Sequence, residues 1–93
     1  MSVEVRVPTV LRPATGGVAV VPGKGATVGE VFNDLIDRHP GLKGQLLNES
    51  GELHRHLNVF RNDDDIRYLG KLDAEVSEGD TLTLMPAVAG GAS

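Results

Sequence analysis

Only one stretch of this chain carries a helical apolar stripe; the segments around it carry strand and turn signals. Val28, Val31, Phe32, Leu35 and Ile36 fall at i, i+3, i+4, i+7 and i+8, which is one face of an α-helix. Thr27-Val28-Gly29-Glu30 fits the capping box, in which Thr27 and Glu30 satisfy backbone donors reciprocally. Gly29 weakens the first turn slightly. Pro40-Gly41 stops the helix near His39. A lone amphipathic helix must bury its stripe, and here the surface available is a sheet. The expected class is α+β: a mixed sheet of four to five strands with one main helix packed on one face.

The strands follow from alternation. Val3, Val5 and Val7 alternate with Ser2, Glu4 and Arg6, the period-two pattern of a half-buried strand. Pro8 can end it, and Pro13 with Gly16-Gly17 marks Thr9 to Gly17 as a loop. Val18 to Val21 is a second β-rich run, closed by Pro22-Gly23 and expected to pair antiparallel with the first. After the helix, Leu42 to Leu47 is expected to add a short helical turn that packs Leu42 and Leu46, and Asn48 to Glu52 a loop. Leu57 to Arg61 is expected as a third strand, Asn62-Asp63-Asp64 as a turn and Asp65 to Tyr68 as a short fourth strand. Gly70 to Glu75 reads as a connector with one turn of 3₁₀ helix, Ser77 to Asp80 as a tight turn, and Thr81 to Met85 as the last strand. Leu82 and Leu84 share one face of that strand.

Composition removes several functions. Net charge is −4, and an acidic surface argues against nucleic acid, because phosphate binding needs clustered Lys and Arg. There is no cysteine, so disulfides, Cys-type zinc sites and thiol catalysis are excluded. No apolar run approaches the length that spans a membrane. The first residues lack signal-peptide character, so the expected location is cytoplasmic.

The chemistry-bearing residues do not assemble into an enzyme site. His54-Arg55-His56 puts two imidazoles on one side of an extended segment, but a metal site needs three or four ligands and only His39 remains; no metal is expected. Asp63-Asp64-Asp65 lacks the glycine and glutamate of a calcium loop, since those positions hold Tyr68 and Ala74. Gly23-Lys24-Gly25-Ala26-Thr27 precedes a helix without the order of a P-loop. The serines have no local signature of an activated nucleophile.

What remains is the terminus. Residues 1–86 are expected to form the domain and residues 87–93 a flexible tail, Ala87-Val88-Ala89-Gly90-Gly91-Ala92-Ser93. Small residues around a Gly-Gly pair suit insertion into a narrow site on another protein.

The element order and the stretch from Glu78 to Gly91, ending Leu84-Met85-Pro86-Ala87-Val88-Ala89-Gly90-Gly91, resemble the ubiquitin-like β-grasp sulfur carriers of molybdopterin and thiamin-thiazole synthesis. Val7-Pro8-Thr9-Val10-Leu11-Arg12-Pro13 and Leu53-His54-Arg55 followed by Asn58-Val59 are similar to the actinobacterial carriers that feed an O-phosphoserine-using cysteine synthase. The resemblance covers nearly the whole chain. It implies a non-enzymatic protein that binds no cofactor itself. An E1-like adenylating enzyme spends ATP to activate the carboxylate of Gly91, which becomes a thiocarboxylate and gives its sulfur to a cysteine synthase or another acceptor enzyme. Val88, Ala89 and Gly90 would then be the inserted tail. The family's active form ends at the second glycine, whereas this chain continues with Ala92-Ser93. Cleavage between Gly91 and Ala92 by a JAMM-type metallopeptidase is the implied activating step. Alternatives are a ubiquitin-like modifier joined to other proteins through Gly91, and a sulfur donor for molybdopterin, thiamin or a sulfur-containing natural product.

For the surface that meets partners, alternation leaves two registers. If Val59 points to the core, Phe60 points outward as an anchor; this register is favoured over its inverse. Phe60, Arg61 and Met85 are the candidate contact residues.

Overall fold

The computed structural model describes residues 2–55 and 57–86. They build a five-stranded mixed sheet with the spatial order β2-β1-β5-β3-β4. β1 (Ser2–Arg6) pairs antiparallel with β2 (Val20–Lys24) and parallel with β5 (Thr81–Pro86). β3 (Leu57–Arg61) pairs antiparallel with β5 on one side and with the two-residue β4 (Asp64–Asp65) on the other. The two most regular strands, β1 and β5, therefore lie at the centre. Their parallel register sets Val5 beside Leu82 and Arg6 beside Thr83.

Helix α1 (Val28–Arg38) covers one face. Val28, Val31, Phe32 and Leu35 are fully buried, and Ile36 packs partly buried against the core. Facing them are Val3, Val5 and Val7 of the β1 segment, Val59 of β3, and Leu82 and Leu84 of β5. Fully burying a side chain of this size contributes roughly 1.5–3 kcal/mol, which makes the stripe the largest stabilising feature of the helix. Leu42 and Leu46 close the core from below α1, on a 3₁₀ turn (Pro40–Leu42) and a short helix α2 (Lys43–Leu46).

The cap departs from the expected box by one residue. Thr27 Oγ1 accepts the Glu30 N–H at 3.2 Å, as expected, but the Glu30 carboxylate accepts the N–H of Ala26 at 2.9 Å rather than that of Thr27. Thr27 sits in a bridge with Glu75, flanked by Val28 N–H to Ala74 O and Val76 N–H to Ala26 O. The segment before β5 thus ties the helix start to the sheet.

Three sequence expectations are corrected. Pro22-Gly23 does not close the second strand, which runs Val20–Lys24 through both residues. β2 is an edge strand, and Pro22 faces away from β1, so its missing N–H costs the ladder nothing. Gly23 lies under the helix: a Cβ there would meet Val31 Cγ1 at 2.6 Å. The Thr9–Gly17 loop contains a 3₁₀ segment, Thr9–Thr15, that buries Leu11 and Thr15, with the Thr15 hydroxyl in hydrogen-bond reach of the carbonyls of Arg12 and Val18. The fourth strand is Asp64–Asp65 and not Asp65 to Tyr68. Asp65 caps the next three residues into a 3₁₀ turn by accepting the Arg67 N–H at 2.9 Å. The preceding turn is Asn62-Asp63, with Asn62 in the left-handed region at φ 56°.

Candidate functional site

The site begins where β5 ends. Pro86 pairs with Leu57 and is the last residue described. Val88, Ala89, Gly90, Gly91 and Ala92, which carry the expected insertion, reaction and cleavage, lie outside the described residues. The structure fixes what holds the strand that carries them.

At the start of β5, the Asp80 carboxylate collects three donors: the Ser77 N–H at 2.8 Å, Arg61 Nε at 2.9 Å and Asn62 Nδ2 at 3.2 Å. Asn62 returns the contact, its Oδ1 accepting the Thr81 N–H at 3.2 Å. The Ser77 N–H holds the Asp80 carboxyl below the usual carboxylate range; partial burial opposes this, and Arg61 and Asn62 reinforce it. β5 is thereby locked to the β3–β4 turn at the end opposite the tail.

The outer sheet face, away from α1, holds two of the three expected contact residues. Val59 is buried, so Phe60 points outward, half-buried opposite Thr83. Met85 stands on the same face opposite Asn58 and is 50% exposed. Arg6 beside Thr83, and Val20 and Pro22 on the edge strand, continue that face. Arg61 does not belong to it. It pairs with Leu82 on the core side of β3, and its guanidinium is occupied by Asp80. Alternation suffices to predict that Phe60 and Arg61 diverge. The contribution of Arg6 and Val20 depends on the β1–β5 and β1–β2 registers, which no local pattern reports.

A groove of about 720 Å3 opens between the 48–55 loop and residues 67–73, with Leu53, Arg55, Arg67 and Lys71 among its lining. Arg67 is held there: its Nη2 donates to the carbonyls of Arg55 at 2.9 Å and Leu57 at 3.2 Å. Among the described residues, no group of three or more His, Asp or Glu is placed to hold a metal, and no helix is long and apolar enough to cross a membrane.

Known proteins share this architecture. The sequence pattern of the ThiS family matches residues 5–91. The sulfur carrier protein CysO of Mycobacterium tuberculosis is 44% identical over 93 residues, spanning 98% of this chain and 100% of the relative. Small archaeal modifier protein 1 of Haloferax volcanii is 38% identical over 66 residues, 71% of each chain. A chain in the crystal structure of the Amycolatopsis orientalis BexX/CysO complex superposes with a TM-score of 0.89 at 54% identity, covering 96% of this chain and 99% of that one. The mixed sheet with its single long helix is the ubiquitin-like β-grasp. With 87 of its 93 residues inside the matched pattern, this chain belongs to the ThiS family.

Proposed function

We propose that this protein is a sulfur carrier whose reacting atom is the carboxyl carbon of Gly91 and whose sulfur goes to cysteine synthesis. One observation supports this most directly: the family pattern runs to residue 91 and leaves out only Ala92-Ser93 at that end. The similarity to CysO supports the choice of cysteine among possible products.

The chemistry follows from the terminus. A carboxylate is a poor electrophile, so it must first be activated. A Gly91 carboxylate oxygen attacks the α-phosphorus of ATP on an E1-like adenylating enzyme; pyrophosphate leaves and an acyl-adenylate forms. A sulfide-level donor then attacks the carbonyl carbon, AMP leaves with the former carboxylate oxygen, and a thiocarboxylate remains. The acceptor enzyme uses that sulfur as nucleophile. With no Cβ at Gly90 or Gly91, the carbonyl is open to attack. The sulfur rides on the backbone because the chain has no cysteine to carry it.

While Gly91 is held in a peptide bond to Ala92 it has no carboxylate, so the chain as written is a precursor that a JAMM-type metallopeptidase opens. On the docking side, Phe60 and Met85 are the apolar anchors of the outer face that enzymes of this group would grip. To test the reading, the full chain and a chain ending at Gly91 are each incubated with an E1-like adenylating enzyme from the same host, ATP and sulfide. Thiocarboxylate should form only on the chain ending at Gly91; formation on the full chain with Ala92-Ser93 retained contradicts the precursor step.

A second reading rests on the similarity to small archaeal modifier protein 1: a protein modifier joined through Gly91 to lysines. Isopeptide-linked conjugates in host extracts would favour it.

A further inference from the structure

The chain is acidic overall, yet its charges are sorted along the sheet. β5 runs away from Asp80 toward the tail, β1 runs parallel to it, and β3 runs antiparallel. At the start of β5 stand Asp63 and Asp64 of the hairpin turn and Glu78 and Asp80 of the preceding turn; Arg61, paired with Asp80, and Lys24, beside Ser2, offset two of these four, so the excess there is acidic. Along the outgoing half of the strand, from Thr83 to Pro86, the order reverses. Arg6 lies beside Thr83. Arg12 Nε donates to the carbonyl of Val7, the residue that follows Arg6, at 3.1 Å. On the other flank, Arg67 donates to the carbonyl of Leu57, the partner of Pro86, and to that of Arg55. Four of the chain's six arginines thus flank the half of β5 from which the tail departs. Two of the four, Arg12 and Arg67, are fixed by backbone carbonyls, so they lose little freedom on binding. The adjoining groove is mixed, with Glu52 and Asp73 facing Arg55, Arg67 and Lys71, and its excess is positive.

Chain length limits where a partner can stand. Gly91 is the fifth residue after Pro86. Five extended residues reach about 17 Å. A partner that takes Gly91 into its site must therefore bring the mouth of that site close to these arginines. We infer that Arg6, Arg12, Arg55 and Arg67 form a cationic collar that docks on an acidic segment around the tail-receiving mouth of the sulfur-accepting enzyme. This inference rests on the carrier reading and adds to it the chemistry of the partner's rim. The acidic pole at Asp63, Asp64, Glu78 and Asp80 turns away from such a rim, so the charge distribution also orients the approach. Steering of this kind raises the association rate and fades with salt.

The test measures binding of the Gly91-ended chain to the cysteine synthase of the same host, at low and physiological ionic strength. The variants are Arg6→Glu and Arg55→Glu, both at exposed positions; the control is Lys24→Glu, at the opposite end of the sheet beside Ser2. Each collar reversal should weaken binding on the order of tenfold at low salt, mainly through the association rate, with a smaller loss at physiological salt. Lys24→Glu should change it little. Circular dichroism verifies folding of each variant. The salt dependence of the parent, whose affinity should fall as salt rises, needs no variant at all. No binding by the parent refutes the carrier reading with this acceptor. Tail-dependent binding that ignores salt and both reversals refutes the collar, as does tighter binding by a reversed variant.

Discussion

Asp80 and Gly23 show how single residues hold the sheet together, one at the start of β5 and one in the edge strand under α1. The Asp80 carboxylate has three donors from two segments, and removing it leaves Arg61 and the Ser77 N–H without their acceptor. Asp80→Ala should cost about 2 kcal/mol in urea unfolding. Acid should act on the same group. The folded pKa lies below the unfolded value of about 3.9, so the contribution is complete above that pH and is lost as pH falls through the depressed folded value. The parent should lose stability steeply below about pH 4, and Asp80→Asn should show a shallower decline over the same range. Gly23 is required for a different reason. Gly23→Ala would press its Cβ into Val31, with a cost of about 1–3 kcal/mol from overpacking. Lys71, by contrast, is a non-glycine residue at φ 56°. Lys71→Gly should raise the unfolding midpoint by relieving a strain of about 1 kcal/mol.

At the scale of elements, the legible ones are those whose signal is local. Helix α1 was readable because its cap, stripe and stop lie within the fifteen residues from Thr27 to Gly41, and β3 and β5 because alternation sets their faces. The misread elements depend on distant partners. Pro22-Gly23 looks like punctuation until β2 is known to be an edge strand passing under Val31. The 3₁₀ segment Thr9–Thr15 is hidden by Pro8, Pro13 and Gly16-Gly17, and it exists because Leu11 reaches the core. β4 stops early because one side chain, Asp65, bonds forward to Arg67. Helix α1 also secures that edge strand. Asp34 accepts the Lys24 N–H at 3.0 Å and Arg38 at 2.6 Å, while Arg38 also donates to the Pro22 carbonyl. Burial pushes the Asp34 carboxyl up, but the Lys24 N–H and the Arg38 guanidinium outweigh it and hold the group below the carboxylate range. Asp34→Ala should therefore speed hydrogen exchange at the Lys24 amide more than at buried amides of β1, an outcome that amide exchange followed by NMR reads residue by residue.

Over the whole molecule, the proposed function makes the domain a mount for one reactive end. The last strand was legible in the sequence, and the expected tail that follows it, with Gly90-Gly91, lies outside the described residues. The arginine collar was not legible, since Arg6, Arg12, Arg55 and Arg67 are scattered in sequence and reach the two flanks of β5 only through the parallel β1–β5 and antiparallel β3–β5 registers. Removing residues 87–93 should leave the unfolding transition of the domain unchanged, because no described core residue lies beyond Leu84, and should abolish sulfur loading. The central claim is that Gly91, once freed, carries the sulfur. The intact mass of the protein isolated from its native host tests it most directly. The expected species ends at Gly91 and has one terminal oxygen replaced by sulfur. A sulfur-bearing chain that still ends in Ala92-Ser93, or a population ending at Gly91 in sulfur-replete cells with no sulfur on it, would contradict the account.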